Sequence, residues 1–336
     1  MTIAVRAAAA ALSIACMSAP AHAQAVPGTL IQGDNDALDY WLPTKQRPDG
    51  EYTNGLRFSL TRSVAPLWGR LVPGVNGCTG HETAAQRCLT TEFAIAQQMY
   101  TPNPVLNNPE MPAPVPGNRP FVGWLHGDVT ANIVSARRLT SFGLVAGVTG
   151  PPSLAEPLQK AFHQLIHQVD PVGWRYQLGF EPAANLSYTD HLRAVLASSG
   201  DHDFVDVLPS WSAQAGNART SAYGEVIARA GYHVAHPWSP AARARAGASD
   251  FGVWAYAGFR ESLVAYDQTL DRSYTKNGMT FSVQRIPWVS SFEFGIAMRR
   301  HSFMLSFGGV RDGKEYQTEF SSHHPYGRVT ITIDHH

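Results

Sequence analysis

Apolar and polar side chains alternate with a period of two in segments spread along the whole chain, and this pattern restricts the possible folds more than any other feature. Residues 56–61 alternate leucine and phenylalanine with arginine, serine and threonine, and residues 121–133, 292–299 and 329–334 follow the same rule. Such alternation is typical of a β-strand with one apolar and one polar face. Further strand candidates lie near residues 88–99, 140–149, 174–181, 204–212, 221–232, 250–261, 279–287 and 301–310. The sequence therefore predicts an all-β chain with about a dozen strands.

The beginning of the chain predicts export. Arg6 precedes the apolar run Ala7–Met17, and small residues follow at 21–23. This is the pattern of a secretory signal peptide. We expect residues 1–23 to be removed and residues 24–336 to form one domain. No segment approaches the ~18 consecutive apolar residues of a transmembrane helix, so a membrane location would require a closed barrel.

Alternation alone does not distinguish an outer-membrane barrel from a soluble β-sandwich, because strands of both have one apolar and one polar face. The number of long strand candidates in an exported chain favours the barrel. Aromatic residues that we predict at the membrane interfaces favour it too. These are Trp124, Trp174, Trp254, Tyr256 and Trp288. We therefore predict a transmembrane β-barrel in the outer membrane.

Cysteine content and net charge indicate in which compartment the protein lies and which partners it does not bind. Two cysteines, Cys78 and Cys88, remain after removal of the leader, and an even pair in an oxidising compartment predicts a disulfide. A zinc site is a poor alternative, because only His81 lies nearby as a further ligand. The 26 basic and 26 acidic residues give zero net charge, which argues against binding to nucleic acid.

One stretch, residues 152–169, departs from the strand pattern and predicts an amphipathic helix. At ~100° per residue, one arc is apolar and the other polar. The apolar arc contains Leu158, Phe162, Leu165, Ile166 and Val169, and the polar arc contains Glu156, Gln159, Lys160, His163 and His167. If the polar row faces a crevice beside the barrel wall, Gln159 and His163 become a candidate catalytic pair, because residues four apart share one helix face. His163 and His167 could instead bind a transition metal, although no third ligand is evident.

Several short motifs follow one another along the chain. They are Asp34-Asn35-Asp36, Tyr52-Thr53-Asn54-Gly55, Ala96-Gln97 to Tyr100-Thr101-Pro102, Gly150-Pro151 leading to Gln159 and His163, and then Gly173-Trp174 and Gln177-Leu178. In this order they resemble the outer-membrane lipid A 3-O-deacylase family over most of the mature chain. The resemblance implies a 12-stranded antiparallel transmembrane β-barrel with a short amphipathic helix near the active site. It also implies calcium-dependent hydrolysis of the ester-linked 3'-acyloxyacyl chain of lipid A.

The resemblance assigns candidate site residues position by position. Asn35 and Asp36 match the family's essential asparagine and aspartate, and Thr53 matches its threonine. Gln159 and His163 match its glutamine and histidine. The family's carboxylate that follows the histidine has no certain counterpart, and Asp170 is the nearest candidate.

The chemistry of these side chains agrees with ester hydrolysis. A histidine such as His163 can take a proton from water near neutral pH. Oxygen ligands from Asn35 and Asp36 suit calcium, which can polarise an ester carbonyl. Thr53 and Gln159 would then orient water or substrate. Two alternatives stay open: Asn35 and Asp36 could simply form an Asx turn, and a serine nucleophile could act without a Gly-x-Ser-x-Gly motif.

These observations predict an outer-membrane hydrolase that removes acyl chains from lipid A. Its expected partners are lipopolysaccharide and other outer-membrane lipids, without nucleic acid, and we expect a monomer. Two other functions remain possible. One is an outer-membrane phospholipase with the same hydrolytic chemistry, and the other is a non-enzymatic pore or structural barrel.

Overall fold

The computed structural model describes residues 25–38, 50–63, 74–103, 116–165, 171–239, 251–276 and 279–335. The strands within these ranges are β1 Gly28–Asn35, β2 Glu51–Arg62, β3 Asn76–Gly77, β4 Cys88–Thr101, β5 Val122–Val134, β6 Arg138–Thr149, β7 Glu181–Leu192, β8 Ala194–Ser199, β9 His202–Gly216, β10 Arg219–Tyr232, β11 Phe251–Asp267, β12 Tyr274–Lys276, β13 Met279–Phe281, β14 Trp288–Arg300, β15 Phe303–Gly313 and β16 His323–Asp334. One α-helix, α1, covers Ala155–Leu165. Short 3-10 turns lie at Asp36–Leu38, Pro151–Ser153 and Trp174–Tyr176. The predicted signal peptide lies outside the described residues.

Twelve of the described strands form a closed antiparallel barrel. Their order around the wall is β1, β2, β4, β5, β6, β7, β9, β10, β11, β14, β15 and β16. Antiparallel pairing of β1 with β16, from Gly28 opposite Asp334 to Asn35 opposite Gly327, closes the ring. β8 follows β7 in sequence, and both strands pair with β9. The predicted 12-stranded barrel is confirmed.

Burial of the alternating side chains is the reverse of that in a soluble sandwich. In β2, Leu56 and Phe58 are 43% and 47% exposed, whereas Arg57 and Ser59 point inward and are largely buried. Apolar residues on the outside and polar residues inside are the pattern of a barrel surrounded by lipid. The alternation therefore correctly predicts these strands, and the apolar face of each strand is turned toward the membrane.

Two predicted strands are wrong. Residues 174–181 form a 3-10 turn, Trp174–Tyr176, followed by an extended stretch, and the strand begins only at Glu181. Of residues 279–287, only Met279–Phe281 is a strand, and it pairs with β12 in a separate hairpin rather than in the wall. The strand candidates also missed β1 and β7, and in β7 the inward residues Asn185, Ser187 and Thr189 are short and polar, which makes its alternation weak.

The predicted interfacial aromatics are wrong in four of five cases. Trp124, Trp254 and Tyr256 are buried at inward-facing positions of the wall. Trp174 is buried beneath α1. Trp288 is exposed on the outer face, as predicted. Alternation decides the direction of an aromatic side chain, and residue type alone does not reveal it.

The barrel has two distinct ends. The first and last residues of the wall, Gly28 and Asp334, pair at one end, which we call the inner end. The opposite, outer end carries the connection 150–180 with α1, and longer loops are typical of the extracellular side of such barrels. At the inner end, Cys78 and Cys88 form the predicted disulfide, with their Cα atoms 4.8 Å apart. No helix within the described ranges is long and apolar enough to cross a membrane.

Ion pairs between nearby strands line the interior of the barrel. Arg57 on β2 contacts Glu92 on β4, at 3.0 Å, and Asp128 on β5. Other inward guanidinium groups pair with carboxylates on neighbouring strands. These pairs are Arg260 with Glu225, Arg229 with Asp206, and Arg328 with Asp34. Such pairs satisfy the charged groups that the polar face of each strand brings inside.

Candidate functional site

The helix α1 lies against the outside of the barrel wall at its outer end. Its first residue, Ala155, packs with Met99 of β4 and with Trp174, and Phe121 packs against the same group. Met99 is on the outward side of β4, because its neighbours Gln98 and Tyr100 face the interior. The α-helix begins at Ala155 and not at residue 152 as predicted, because Pro151–Ser153 forms a 3-10 turn, and residues 166–169 of the predicted span lie outside the described residues.

Contact between α1 and the wall depends on a glycine. Gly123 is on the outward side of β5, and a Cβ at this position would lie 3.0 Å from the Cβ of Ser153 and closer still to the Cβ of Ala155. The side-chain amide of Gln97 on β4 donates to the Ser153 carbonyl at 3.4 Å. Small residues therefore bring the start of the helix close to the wall.

A second glycine lets the chain turn from the wall into the helix. Gly150 has a φ of +81°, a left-handed conformation that glycine adopts without a steric penalty. A Cβ there would lie 2.6 Å from the carbonyl carbon of Gly179. The hydroxyl of Ser153 donates to the Gly150 carbonyl at 2.6 Å, which fixes this turn.

One residue of the polar row of α1, Gln159, is buried, whereas the side chains of Glu156 and Lys160 in the same row are more than a third exposed. Gln159 is only 5% exposed, whereas Leu158 beside it is 37% exposed. The indole Nε1 of Trp174 donates to Gln159 Oε1 at 2.6 Å. His163 is half-buried one turn further along the same face. Gln159 thus meets the condition that a polar residue of the helix is buried beside the wall, the pairing of Gln159 with His163 stays a prediction, and His167 lies outside the described residues.

Asn35 and Asp36 lie where β1 ends at the outer end of the barrel. Asn35 is on the outward side of β1, as is the exposed Ile31, yet both Asn35 and Asp36 are buried. Asp36 opens a 3-10 turn, and the backbone amide of Gly50 donates to its Oδ2 at 3.2 Å. Two buried residues with oxygen donors in their side chains are thus consecutive at the end of β1.

Thr53 lies on the adjacent strand at an irregularity in the pairing. The register of β2 with β4 shifts between Tyr52 and Asn54, so that Thr53 has no partner of its own in that ladder. Its hydroxyl is buried and lies 2.6 Å from the hydroxyl of Thr101 on β4. Such shifts redirect side chains and are common beside active sites.

The registers place these groups on one patch of the outer wall. Asn35 pairs with Asn54, and Asn54 pairs with Met99, which contacts α1. Neighbouring strands are ~4.8 Å apart, so β1 lies about 10 Å from the strand that supports the helix. We call the candidate residues of this region the patch, namely Asn35, Asp36 and Thr53 on the wall and Gln159 and His163 on the helix. Asp170, the candidate carboxylate, lies outside the described residues.

Behind this patch, Glu51 ties the start of β2 to two loops. Glu51 is buried, has a φ of +66°, and accepts from Tyr316 Oη at 2.7 Å and from Arg119 Nη1 at 3.3 Å. Arg119 Nη1 also donates to Glu315 at 2.9 Å. Burial raises the pKa of Tyr316 and the Glu51 carboxylate raises it further, so the phenol stays protonated as a donor.

Burial lowers the pKa of the Arg119 guanidinium, but Glu315 and Glu51 raise it more, and the net change is upward. The cation therefore stays charged between its two carboxylates. Gly50 directly precedes Glu51, and Thr53 follows two residues later. The cluster around Glu51 therefore fixes the backbone that carries the Gly50 amide bonded to Asp36 and the Thr53 hydroxyl.

Sequence reasoning missed the supporting residues of the patch. Trp174 was assigned to a membrane interface, although it lies in the motif Gly173-Trp174 and contacts Gln159. The roles of Gly123 and Thr101 depend on contacts between strands distant in sequence. No local pattern shows such contacts. The outward face of β5 has two glycines, Gly123 and Gly127, and the sequence does not show which of them contacts the helix.

Comparison with known proteins identifies a matching family and a solved structure with a similar fold. The sequence model of the family described as "LpxR: Outer membrane protein LpxR" matches residues 7–335. The solved structure of LpxR from Salmonella typhimurium is similar with a TM-score of 0.72 and 18% sequence identity, covering 92% of this chain and 100% of that chain. At this identity the structural likeness shows the fold alone.

A second solved structure, the translocator domain of the autotransporter NalP from Neisseria meningitidis, has a TM-score of 0.36 and 8% identity. It covers 94% of this chain and 90% of that chain, and the low score carries no argument. No curated protein sequence matches the chain.

Proposed function

Because the chain belongs to the LpxR family of outer membrane proteins, which are lipid A deacylases, we propose that it removes the 3'-acyloxyacyl chain of lipid A at the patch between α1 and the wall. The family resemblance and the outer-membrane location predicted from sequence are confirmed, and the chain is a carboxylic ester hydrolase. The observation that supports this proposed site is the burial of Gln159 on α1, whose first residue packs against the outward side of the wall.

His163 is the proposed general base. It lies half-buried on the helix face that is turned to the wall, one turn after Gln159. A neutral imidazole there can accept a proton from a water molecule as that water attacks the ester carbonyl. The imidazolium can then give this proton to the sugar 3'-oxygen as the bond between that oxygen and the carbonyl carbon breaks, so the sugar keeps a hydroxyl and the acyl chain leaves as a fatty acid.

Gln159 is proposed to stabilise the oxyanion. Its carbonyl oxygen accepts from Trp174 Nε1, which turns the NH₂ group of the same amide away from Trp174. An NH₂ group held in this way presents donors of fixed direction to developing negative charge. Thr53, fixed by its contact with Thr101, is proposed to orient the substrate or the attacking water.

Asn35 and Asp36 fit calcium in the chemistry of their donors. Both offer hard oxygen atoms, both are buried, and they are consecutive at the end of one strand. Two side chains do not complete the six to eight oxygen ligands typical of calcium, so backbone carbonyls, water or substrate would supply the others. Bound calcium would polarise the ester carbonyl.

Replacement of the proposed base provides the direct test. We expect the His163→Ala variant to fold as a barrel but to leave lipid A intact in mass spectra of lipid extracted from the producing cells. His81→Ala, at the disulfide-linked loop of the inner end, is the matched control and should deacylate normally. Normal deacylation by His163→Ala would exclude this histidine from the mechanism.

Chelation tests the metal separately. We expect a chelator to stop deacylation by the purified protein and added calcium to restore it, and activity unchanged by chelation would refute the metal role. Glycerophospholipid presented under the same conditions tests the alternative phospholipase, and we expect lipid A to be cleaved in preference.

A further inference from the structure

A groove on the outer surface of the barrel, away from α1, combines cations with apolar side chains. It has a volume of about 590 Å³ and lies at the outer ends of β11, β14, β15 and β16. Phe259, Trp288 and Phe292 supply its exposed apolar part. Arg311 and Lys314 supply its positive charge. Its two cations lie on β15 and just after it, with β16 between them and Asn35 on β1, and with β16, β1 and β2 between them and β4, which supports α1.

Arg311 is the central feature of the groove. It is on the outward side of β15, opposite Phe292 on β14, and it is exposed. Its Nη2 contacts His323 Nδ1 at 3.2 Å, and within the described ranges it makes no ion pair with a carboxylate. A guanidinium on the lipid-facing side of a barrel is unfavourable unless it reaches the interface or an anionic group.

The other cation also has no acidic partner in that part of the chain. Lys314 Nζ donates to the backbone carbonyl of Glu319 at 2.7 Å. The Glu319 carboxylate is buried and serves the Glu315 amide and His324 instead. Glu261, the acid on the same outer face, accepts from Ser290 at 2.6 Å. Glu261 lies on β11, two strands from Arg311, or about 10 Å.

Charge and shape together indicate one class of ligand. Two cations at the outer rim suit phosphate, for which arginine offers paired donors. Aromatic side chains directly below them suit acyl chains. The lipid that carries phosphates and several acyl chains at this end of the barrel is lipid A, the substrate class of the family. We infer that Arg311, Lys314 and the apolar residues beside them form a second, non-catalytic binding site for lipid A.

This site goes beyond the proposed function and does not depend on His163. Lipid A phosphate would accept from Arg311 and Lys314, with acyl chains along Phe259 and Phe292. The site would hold a lipid molecule against the barrel without cleaving it.

The test counts lipids bound to the purified full chain in detergent by native mass spectrometry. The probe is bis-phosphorylated lipid A that lacks the 3' chain, so that deacylation does not consume it. We expect two molecules on the wild type and one on the Arg311→Gln/Lys314→Gln variant, whose second dissociation constant should rise about 10- to 100-fold. Arg300→Gln on the outward face at the inner end is the matched control and should still bind two.

Further arms identify the ligand chemistry. Arg311→Lys keeps the charge and should keep the second lipid, which separates loss of binding from loss of folding. Lipid A without phosphates should not occupy the second site. The inference is overturned if the double variant still binds two molecules, if the wild type binds only one, or if phosphatidylglycerol displaces the second lipid A equally well. Deacylation by the double variant, measured separately, should be retained, so failure of this site and failure of the catalytic proposal are distinguishable.

Discussion

The close approach of α1 to the wall at Gly123 gives the sharpest prediction about activity. The substitution Gly123→Ala places a methyl group within 3.0 Å of the Ala155 Cβ and at 3.0 Å from the Ser153 Cβ. Carbon atoms in favourable contact are ~3.5 to 4.0 Å apart. The start of the helix must therefore move outward by about 1 Å, because the wall behind it is fixed by pairing with both neighbours.

Such a movement displaces Gln159 and His163 from Thr53 and Asn35. A misplacement of ~1 Å between groups that must act together can reduce the rate about 100-fold. We expect Gly123→Ala to lower the rate of lipid A deacylation by about this factor, measured by mass spectrometry of lipid A incubated with purified protein. The barrel should still show heat-dependent mobility in gel electrophoresis, because no wall contact is lost.

Gly127→Ala is the matched control. It makes the same change on the same outward face of β5, but its Cβ would lie 3.7 Å from the Ala94 carbonyl oxygen, an ordinary contact. We expect its activity to equal that of the wild type. If Gly123→Ala were as active as Gly127→Ala, the crevice between α1 and the wall would not be the site of the reaction.

Other parts of the structure give three further predictions. Trp174→Phe leaves the buried carbonyl oxygen of Gln159 without its indole donor. We expect a roughly 10-fold lower kcat with little change in KM, measured by steady-state kinetics. A roughly 10-fold rise in KM with an unchanged kcat would contradict the oxyanion role. Replacing Cys78 and Cys88 by serine opens a loop at the inner end and should lower the free energy of unfolding by about 3 kcal/mol in urea titrations, with activity retained. Arg119→Gln leaves two carboxylates without their cation and should cost about 3 to 5 kcal/mol, seen as a lower unfolding temperature, and an unchanged temperature would refute the importance of this cluster.

The wall of the barrel was largely predictable because its signal is local. Each outward leucine or phenylalanine of β2 is next in sequence to an inward polar residue, and lipid and lumen act on these two faces separately. Strand β7 was not predicted because three of its inward side chains, Asn185, Ser187 and Thr189, are short and polar. Its outward face mixes Leu186 with Pro182 and Ala184. A weak contrast between two faces gives a weak period of two.

The sequence selected candidate residues for the site but did not show what supports them. The motif order proposed Asn35, Thr53 and His163, whose roles stay predictions, and Gln159 of the same set is buried in the structure. The contacts that hold these groups join strands and loops far apart in the chain. Tyr316, for example, donates to Glu51 across 265 positions of sequence. Side-chain direction at Trp174 likewise depended on where the following strand began.

The position of α1 outside the barrel has a consequence for how reactant and product travel. A lipid whose tails stay in the leaflet can slide sideways into a cleft on the exterior surface, and it never has to pass through the charged interior. The released fatty acid can diffuse back into the same hydrocarbon layer. Conduction through the interior of the barrel and hydrolysis at its outer surface would thus be independent of each other. Additional ion pairs that close the interior would leave the rate of hydrolysis unchanged.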